Sequence, residues 1–520
     1  MSRAIRHLLT VSSLAVVFAV SLLVPLRTQP EASSAAVDPA SMKIESRPGA
    51  YFPPGFPLHG KVRLLTSPIV EMGKRERIRI EYTVGDMPLE AGMALEVWKH
   101  FTSDVEEFQA ADASAPGYFR AELSDPSIQT EHLTYTNWTQ RDTPSVFPYR
   151  RAASVRIKSG KLLEGGRVLL DLGGEQGVRM QHYAENLFNF RLVITRGDKV
   201  AGYGGDAIMQ VTGGPLRKLR AQAPSIVKAG EAFPVEVLAQ DEWGSLAKDH
   251  QGLELQIEGG GAAGGTFRYE PGLMLYVARD VRLSSPGARR LTIRTRDGRF
   301  RTVSNPIWVR KDPREFVYFG DVHQHTYLHD GRGVAEELYL YARRVGLLDF
   351  GAVSPHHMPM SVTGPMFYLE GKKFPSENWP ALVKATKLFN GWRGFVSILG
   401  YEYSVGTDKG GHHNIYYNAD EAPTTMQLDS LDPMAPIAKM LKTLQLVQKP
   451  VLVIPHIGGG PPDWTHPTDP RMERLFEIAS VHGVFEESWQ KHLEAGLQLA
   501  ASAAGDTHTV AMGNAYPGLI

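Results

Sequence analysis

The stretch Val317-Tyr318-Phe319-Gly320-Asp321-Val322-His323-Gln324-His325 reads as a short apolar strand ending in two histidines two positions apart. Side chains alternate along a strand, so both imidazoles point the same way and can grip one ion. The device recurs downstream. Leu348-Asp349-Phe350-Gly351-Ala352-Val353-Ser354-Pro355 runs into His356-His357, and Ile398-Leu399-Gly400-Tyr401 runs into Glu402. Gly410-Gly411-His412-His413-Asn414 opens a strand, and Val451-Leu452-Val453-Ile454-Pro455 ends in His456. Gly505-Asp506-Thr507-His508 closes the series with another same-face pair. Twelve of the 18 histidines lie after residue 319, mostly at strand ends, where α/β sheets and barrels carry their active sites.

Between these strand ends the pattern is helical. Residues 334–345, 381–389, 437–446 and 489–503 read as helices, alternating with strands at 316–320, 350–353, 396–399 and 451–454. The alternation predicts an α/β unit over residues 315–520, built on a largely parallel sheet or barrel.

Upstream the grammar is all β. Arg77-Ile78-Arg79-Ile80-Glu81-Tyr82-Thr83-Val84 alternates polar and apolar, as a strand with one buried face should. Similar runs fall at 155–157, 167–172, 187–195, 233–238, 253–257 and 290–295, separated by glycine-rich turns. A β-sandwich is expected over 45–214 and a second, Ig-like one over 215–310, with the seam near Gly213-Gly214-Pro215. The glycine run at 259–265 is expected as a hairpin loop.

Arg3 and Arg6 precede an apolar run over 8–26, and Ser34-Ala35-Ala36 supplies a small-residue cleavage site. Residues 1–36 therefore read as a signal peptide or an N-terminal membrane anchor, and the body is expected to be periplasmic or extracellular. Lys plus Arg number 56 and Asp plus Glu 56, so a nucleic-acid partner is not expected. The absence of cysteine excludes disulfides, thiolate metal sites and a cysteine nucleophile. Imidazole and carboxylate donors without thiolates favour Zn, Mn or Fe. The donors outnumber the four or so that one ion takes, so two or three divalent ions are expected. Clusters of this kind activate water, which is hydrolytic chemistry.

In order and spacing these motifs resemble the PHP (polymerase and histidinol phosphatase) superfamily. The forms GDVHQHTYLHDGRG, DFGAVSPHH, GYEYS, GGHHNIYY and GDTHT are similar to a large uncharacterised bacterial family related to it, across roughly residues 315–515. The resemblance implies a distorted (β/α)7 barrel with up to three metals. Carried over, His323, His325, Glu402 and Asp506 hold the first ion. Glu402 bridges to a second held by His412 and His456, and Asp330, His356 and His508 hold a third. Glu402, His456 and Asp506 are the expected catalytic residues. Pro355 stands where the superfamily commonly has Asp. A further strand and helix are expected after His508, so the barrel is read as C-terminally truncated.

The function expected from this reading is an exported metal-dependent hydrolase, foremost a phosphoesterase acting on a small-molecule or polymer-borne phosphoester. Two alternatives stand beside it: amidohydrolase-type C–N hydrolysis, and a non-catalytic surface-binding protein with a decayed barrel. His412 and His413 face opposite ways in a strand, so only one can bind, with His412 preferred. Asp330 also reads as a turn residue before Gly331. His329 and His357 are read as orienting or substrate-facing groups, or as plain surface. His466, His482 and His492 read as surface or helix-face residues. Arg332 and Lys409 are read as loop cations, with an anion-receiving role as the alternative, and Glu486 as a residue that orients a ligand. Asn137 matches a glycosylation acceptor by chance spacing, and Met360, Phe367 and Trp464 suggest an apolar pocket wall. Oligomeric state is not legible.

Overall fold

The computed structural model describes residues 38–41, 57–136, 148–197, 199–328, 330–357, 374–462 and 469–513. The expected signal or anchor segment, Asn137, His329, Met360, Phe367, Trp464 and His466 lie outside them. Among the described residues no helix is long and apolar enough to cross a membrane.

The alternation of Ile78–Val84 becomes strict burial of every second side chain. This strand is central in an antiparallel sheet whose order is Gly60–Leu64, Ile78–Val84, Arg167–Gly173, Tyr118–Leu123. Ile80 lies opposite both Leu64 and Leu170, so one face is continuously apolar. That face packs against a six-stranded sheet in which Glu185–Arg196 runs between Lys199–Thr212 and Met93–His100. Leu95, Val97, Phe190 and Leu192 meet Ile78, Ile80 and Tyr82 in one core. Each such aliphatic side chain removed from water contributes on the order of 2 kcal/mol, which holds the two sheets together.

The second module begins after the chain leaves Thr212. A five-stranded sheet centred on Ala232–Gln240 and Leu275–Leu283 packs with two three-stranded sheets around Val235, Val237, Ala278, Ile293 and Ile307. Within the glycine run, Ala262–Ala263 pairs with Leu283 and Arg282, so the expected hairpin loop contains a short edge strand. A separate cluster joins Leu238, Leu275 and Val277 of this module to Tyr341, Val345 and Leu347, which binds it to the C-terminal unit.

The C-terminal unit corrects the fold expectation. Its main sheet has five strands in the order Gly320–Asp321, Phe350–Val353, Val396–Ser404, His412–Tyr417, Val451–Pro455. The first three are parallel, and the next two pairings are antiparallel. A second sheet of three strands, Gly483–Val484, Leu475–Ser480 and Ala500–Ala503, lies beside the first, joined to it by the isolated bridge His456↔Glu477 and by Leu475 packed on Tyr416 and Ile454. Among the described residues the expected distorted (β/α)7 barrel does not form, and the resemblance to the PHP superfamily is not upheld. The reason is chain length between strands. Parallel neighbours need a crossover of a dozen or more residues, and only residues 405–411 separate Val396–Ser404 from His412–Tyr417. That chain must fold back as a hairpin, with room for only the single 3-10 turn Thr407–Lys409 between its strands.

Among the described residues the helices are fewer and shorter than a barrel requires. Ala335–Tyr341, Trp379–Phe389 and Ile437–Leu444 form near their expected places. The run at 489–503 does not stay helical: Glu486–Glu494 ends at Gly496, whose φ of 88° is the left-handed cap that stops a helix, and Ala500–Ala503 is a strand.

Candidate metal centre

The His-x-His spacing works as alternation predicts. Gln324 turns away, donating to Asp321 at 2.6 Å, while His323 and His325 face the opposite side. Asp321 is fully buried and also accepts from the backbone of His323 and Gly505, so one carboxylate ties the first and last site segments together. Burial pushes its carboxyl up to about 6.

Glu402 lies at the middle of the cluster with no solvent exposure. Its Oε1 is 2.7 Å from Nδ1 of His412 and 3.1 Å from Nε2 of His456. Its Oε2 is 3.2 Å from Nε2 of His323, 3.4 Å from Nε2 of His325 and 3.1 Å from Nδ1 of His356. Burial alone would raise this carboxyl, yet the facing His356, His456 and His412 hold it well below the usual carboxylate range. Asp506 sits at φ 51°, a left-handed conformation rare outside glycine, which aims Oδ1 at His325 (3.0 Å) and His323 (3.4 Å). Burial opposes its ionisation too, and His323 and His325 hold it low. Asp330 Oδ2 faces Nε2 of His508 at 3.3 Å and of His356 at 3.7 Å.

Within this cluster the imidazoles differ. His325 is held well below the ordinary histidine value by burial and by His508 and His356, so it stays neutral with its lone pair free. Its ring stacks on His508 at 4.0 Å. His323 is pushed the other way: burial opposes its protonation, but Asp506 and Glu477 overcome it.

All nine residues expected as ligands come together. One donor atom per residue lies within 4.8 Å of the others in each of four overlapping groups. These are His325, Asp330, His356 and His508; His323, His456, Glu477 and Asp506; His323, His325 and Glu402; and His356, Glu402 and His412. The donor set is imidazole and carboxylate throughout, which suits Zn, Mn or Fe. The Nδ1 atoms of His325 and His456 are buried with no hydrogen-bond partner, a costly state for a polar atom unless something else takes the lone pair. The residues fit a cluster of divalent ions.

Other sequence readings hold in part and are corrected in part. His413 turns to the opposite face from His412, toward Glu473 at 3.6 Å. His357 is neither surface nor substrate-facing: it is buried, stacked on Tyr403 at 4.2 Å, with Nε2 donating to the Pro433 carbonyl. Arg332 is no loop cation but a fully buried one, paired with Glu185. Lys409 donates to the Met434 carbonyl, and His492 faces the Ser488 carbonyl from its helix. Glu486 lies exposed in the first turn of its helix and orients nothing in the cluster. His482, read as surface, is exposed yet lies 3.2 Å from Asp506 Oδ2.

Glu477 was missed. It stands 3.0 Å from Nδ1 of His323, and the signal for it was a lone carboxylate inside the apolar strand Leu475–Ser480. Asn414, 3.0 Å from the same nitrogen, was missed as well.

No protein family matches the chain, and no curated protein does. Among solved structures, it is similar to the C-terminal domain of the Streptococcus agalactiae AgI/II polypeptide BspA, at 9% identity over 48% of this chain and 99% of that one, TM-score 0.20. It is similar to the D00–D0 domain of intimin at 11% identity over 48% and 99%, TM-score 0.21. Domains 5–6 of the S-layer protein SbsC give 14% identity over 49% and 100%, TM-score 0.17. At this level no activity or partner is carried over from them.

Proposed function

We propose that this is an exported, β-rich protein whose C-terminal unit holds a cluster of two or three divalent ions and uses it to hydrolyse a substrate. The observation that carries this reading is Glu402. A buried carboxylate that presents each oxygen to a different set of imidazoles is arranged to bridge two cations. Ions held there would supply Lewis acidity and lower the pKa of water. The chain's own contribution is positional. His323, His325 and His356 face one oxygen of Glu402, His412 and His456 face the other, Asp506 sits beside His323 and His325, and Asp330 and His508 complete a group with His325 and His356. His482 reaches from Asp506 toward solvent and marks the approach to the cluster.

A second reading is a non-catalytic surface-binding protein in which the ions only stabilise the fold. It is supported by the seclusion of the inner donors, since His323, His325 and Glu402 have no exposed surface.

One experiment separates the two. The purified full-length chain is loaded with Mn or Zn, its metal content measured, and its turnover followed on panels of phosphoesters, carboxylic esters and amides. Bound metal with turnover that His456→Ala abolishes supports the hydrolase. Bound metal without turnover on any panel supports the second reading, and a protein that retains no metal overturns both.

A further inference from the structure

Residues 330–337 of the C-terminal unit are fastened to the first β-sandwich module. His100, the last residue of the strand Met93–His100, is buried, and its Nε2 lies 2.9 Å from the backbone carbonyl of Asp330. Its other nitrogen, Nδ1, accepts from the backbone N–H of Thr102, which leaves the proton on Nε2 and makes it the donor to Asp330. The next residue, Phe101, meets the His508 ring edge-on at 5.4 Å. Two positions after Asp330, Arg332 enters the same module. It pairs with Glu185, and donates to Tyr149 Oη at 3.1 Å, Asn189 Oδ1 at 2.9 Å and the Leu187 carbonyl at 2.7 Å. From the other side the turn is pressed onto the first site segment. A Cβ at Gly331 would stand 2.5 Å from the backbone of His325, so only glycine fits.

We infer that the first β-sandwich module is a working part of the metal centre: His100 and Phe101 are positioning residues for Asp330 and His508. This rests on the metal reading above and deepens it. Asp330 and His508 reach the ion group shared with His325 and His356, whereas the groups around Glu402 and Glu477 draw nothing from the sandwich. Loss of the His100 bond frees the backbone that carries the Asp330 carboxylate, and loss of the Phe101 ring removes a wall behind His508. One ion should therefore depend on the sandwich, and the others should not. The effect of an orienting hydrogen bond on metal affinity is typically tenfold to a hundredfold.

The test is zinc titration of metal-stripped full-length protein by calorimetry, with elemental analysis. The parent should bind two or more equivalents. His100→Ala should weaken one equivalent by at least tenfold and leave the rest unchanged. His100→Gln should restore it, because its amide N–H can reach the same carbonyl. A merely structural role for His100 would lower the melting temperature without singling out one equivalent. If His100→Ala does not fold, Phe101→Leu reads the same equivalent through His508. Identical stoichiometry and affinity in His100→Ala, or in Phe101→Leu where it replaces that variant, overturns the inference and leaves the metal reading standing. A parent that binds no zinc overturns the metal reading itself.

Discussion

Nδ1 of His323 lies 3.0 Å from the carboxylate of Glu477, 154 residues further along the chain and on a strand of the other sheet. A carboxylate on the far nitrogen of an imidazole fixes which nitrogen carries the proton and holds the ring's orientation, so Nε2 is left facing Glu402 and Asp506. The contact also bridges the five-stranded and three-stranded sheets, so it ties the geometry of the site to the way the C-terminal unit is assembled.

Glu477→Gln should therefore leave the fold intact and weaken metal binding by roughly tenfold to a hundredfold, since the amide keeps the shape and loses the charge. Competition with a chromogenic chelator measures it. Unchanged affinity would show that Glu477 serves only to join the sheets.

Glu402→Gln should have a larger effect. Two cations ~4 Å apart repel strongly, and an amide no longer offsets their charge. The variant should lose about one equivalent of metal and reduce turnover by a few orders of magnitude. His413→Ala, on the opposite face of the strand, should keep its metal. Metal analysis and kcat on both variants decide it, and full metal with near-parental turnover in Glu402→Gln would remove the bridging assignment.

Arg332→Met addresses stability. Removing one member of a buried pair leaves the other, Glu185, in a dry environment without its counter-charge, which costs about 3 kcal/mol. Urea denaturation at neutral pH should show a loss of that order, and a change below about 0.5 kcal/mol would mean that water reaches Glu185 in the parent.

Glu337, at the start of the helix Ala335–Tyr341, should make stability depend on pH. Burial, and then the neighbouring Glu185, push its carboxyl from 4.5 to about 7, against Asn186 and Arg332, which favour the charged form. The folded state thus holds a proton that the unfolded state releases. The penalty is absent below about pH 4.5 and grows as pH rises to about 7, so the parent loses stability across that window. Glu337→Gln should flatten this dependence and be more stable at pH 8 by roughly 3 kcal/mol. Melting temperatures of both proteins between pH 5 and 8 test it, and parallel curves would refute it.

What the sequence determined by itself is what rests on neighbours along the chain. Period-two alternation placed the buried face of Ile78–Val84, and the same alternation put His323 and His325 on one side and sent His412 and His413 to opposite sides. The strand-end positions of His356, Glu402, His456 and Asp506 were legible for the same reason, because an apolar run followed by a donor is a local pattern. Tertiary structure alone decided the rest. Whether successive strands run parallel depends on how much chain lies between them, and the short link from Ser404 to His412 forced a hairpin where a barrel was expected. That His100 should hold the Asp330 loop, that Arg332 should be buried against Glu185, and that Glu477 should reach His323 are contacts between residues more than a hundred positions apart. They arise from sheets packing their apolar faces, a non-directional force that acts on surfaces and leaves no periodic trace in the order of residues.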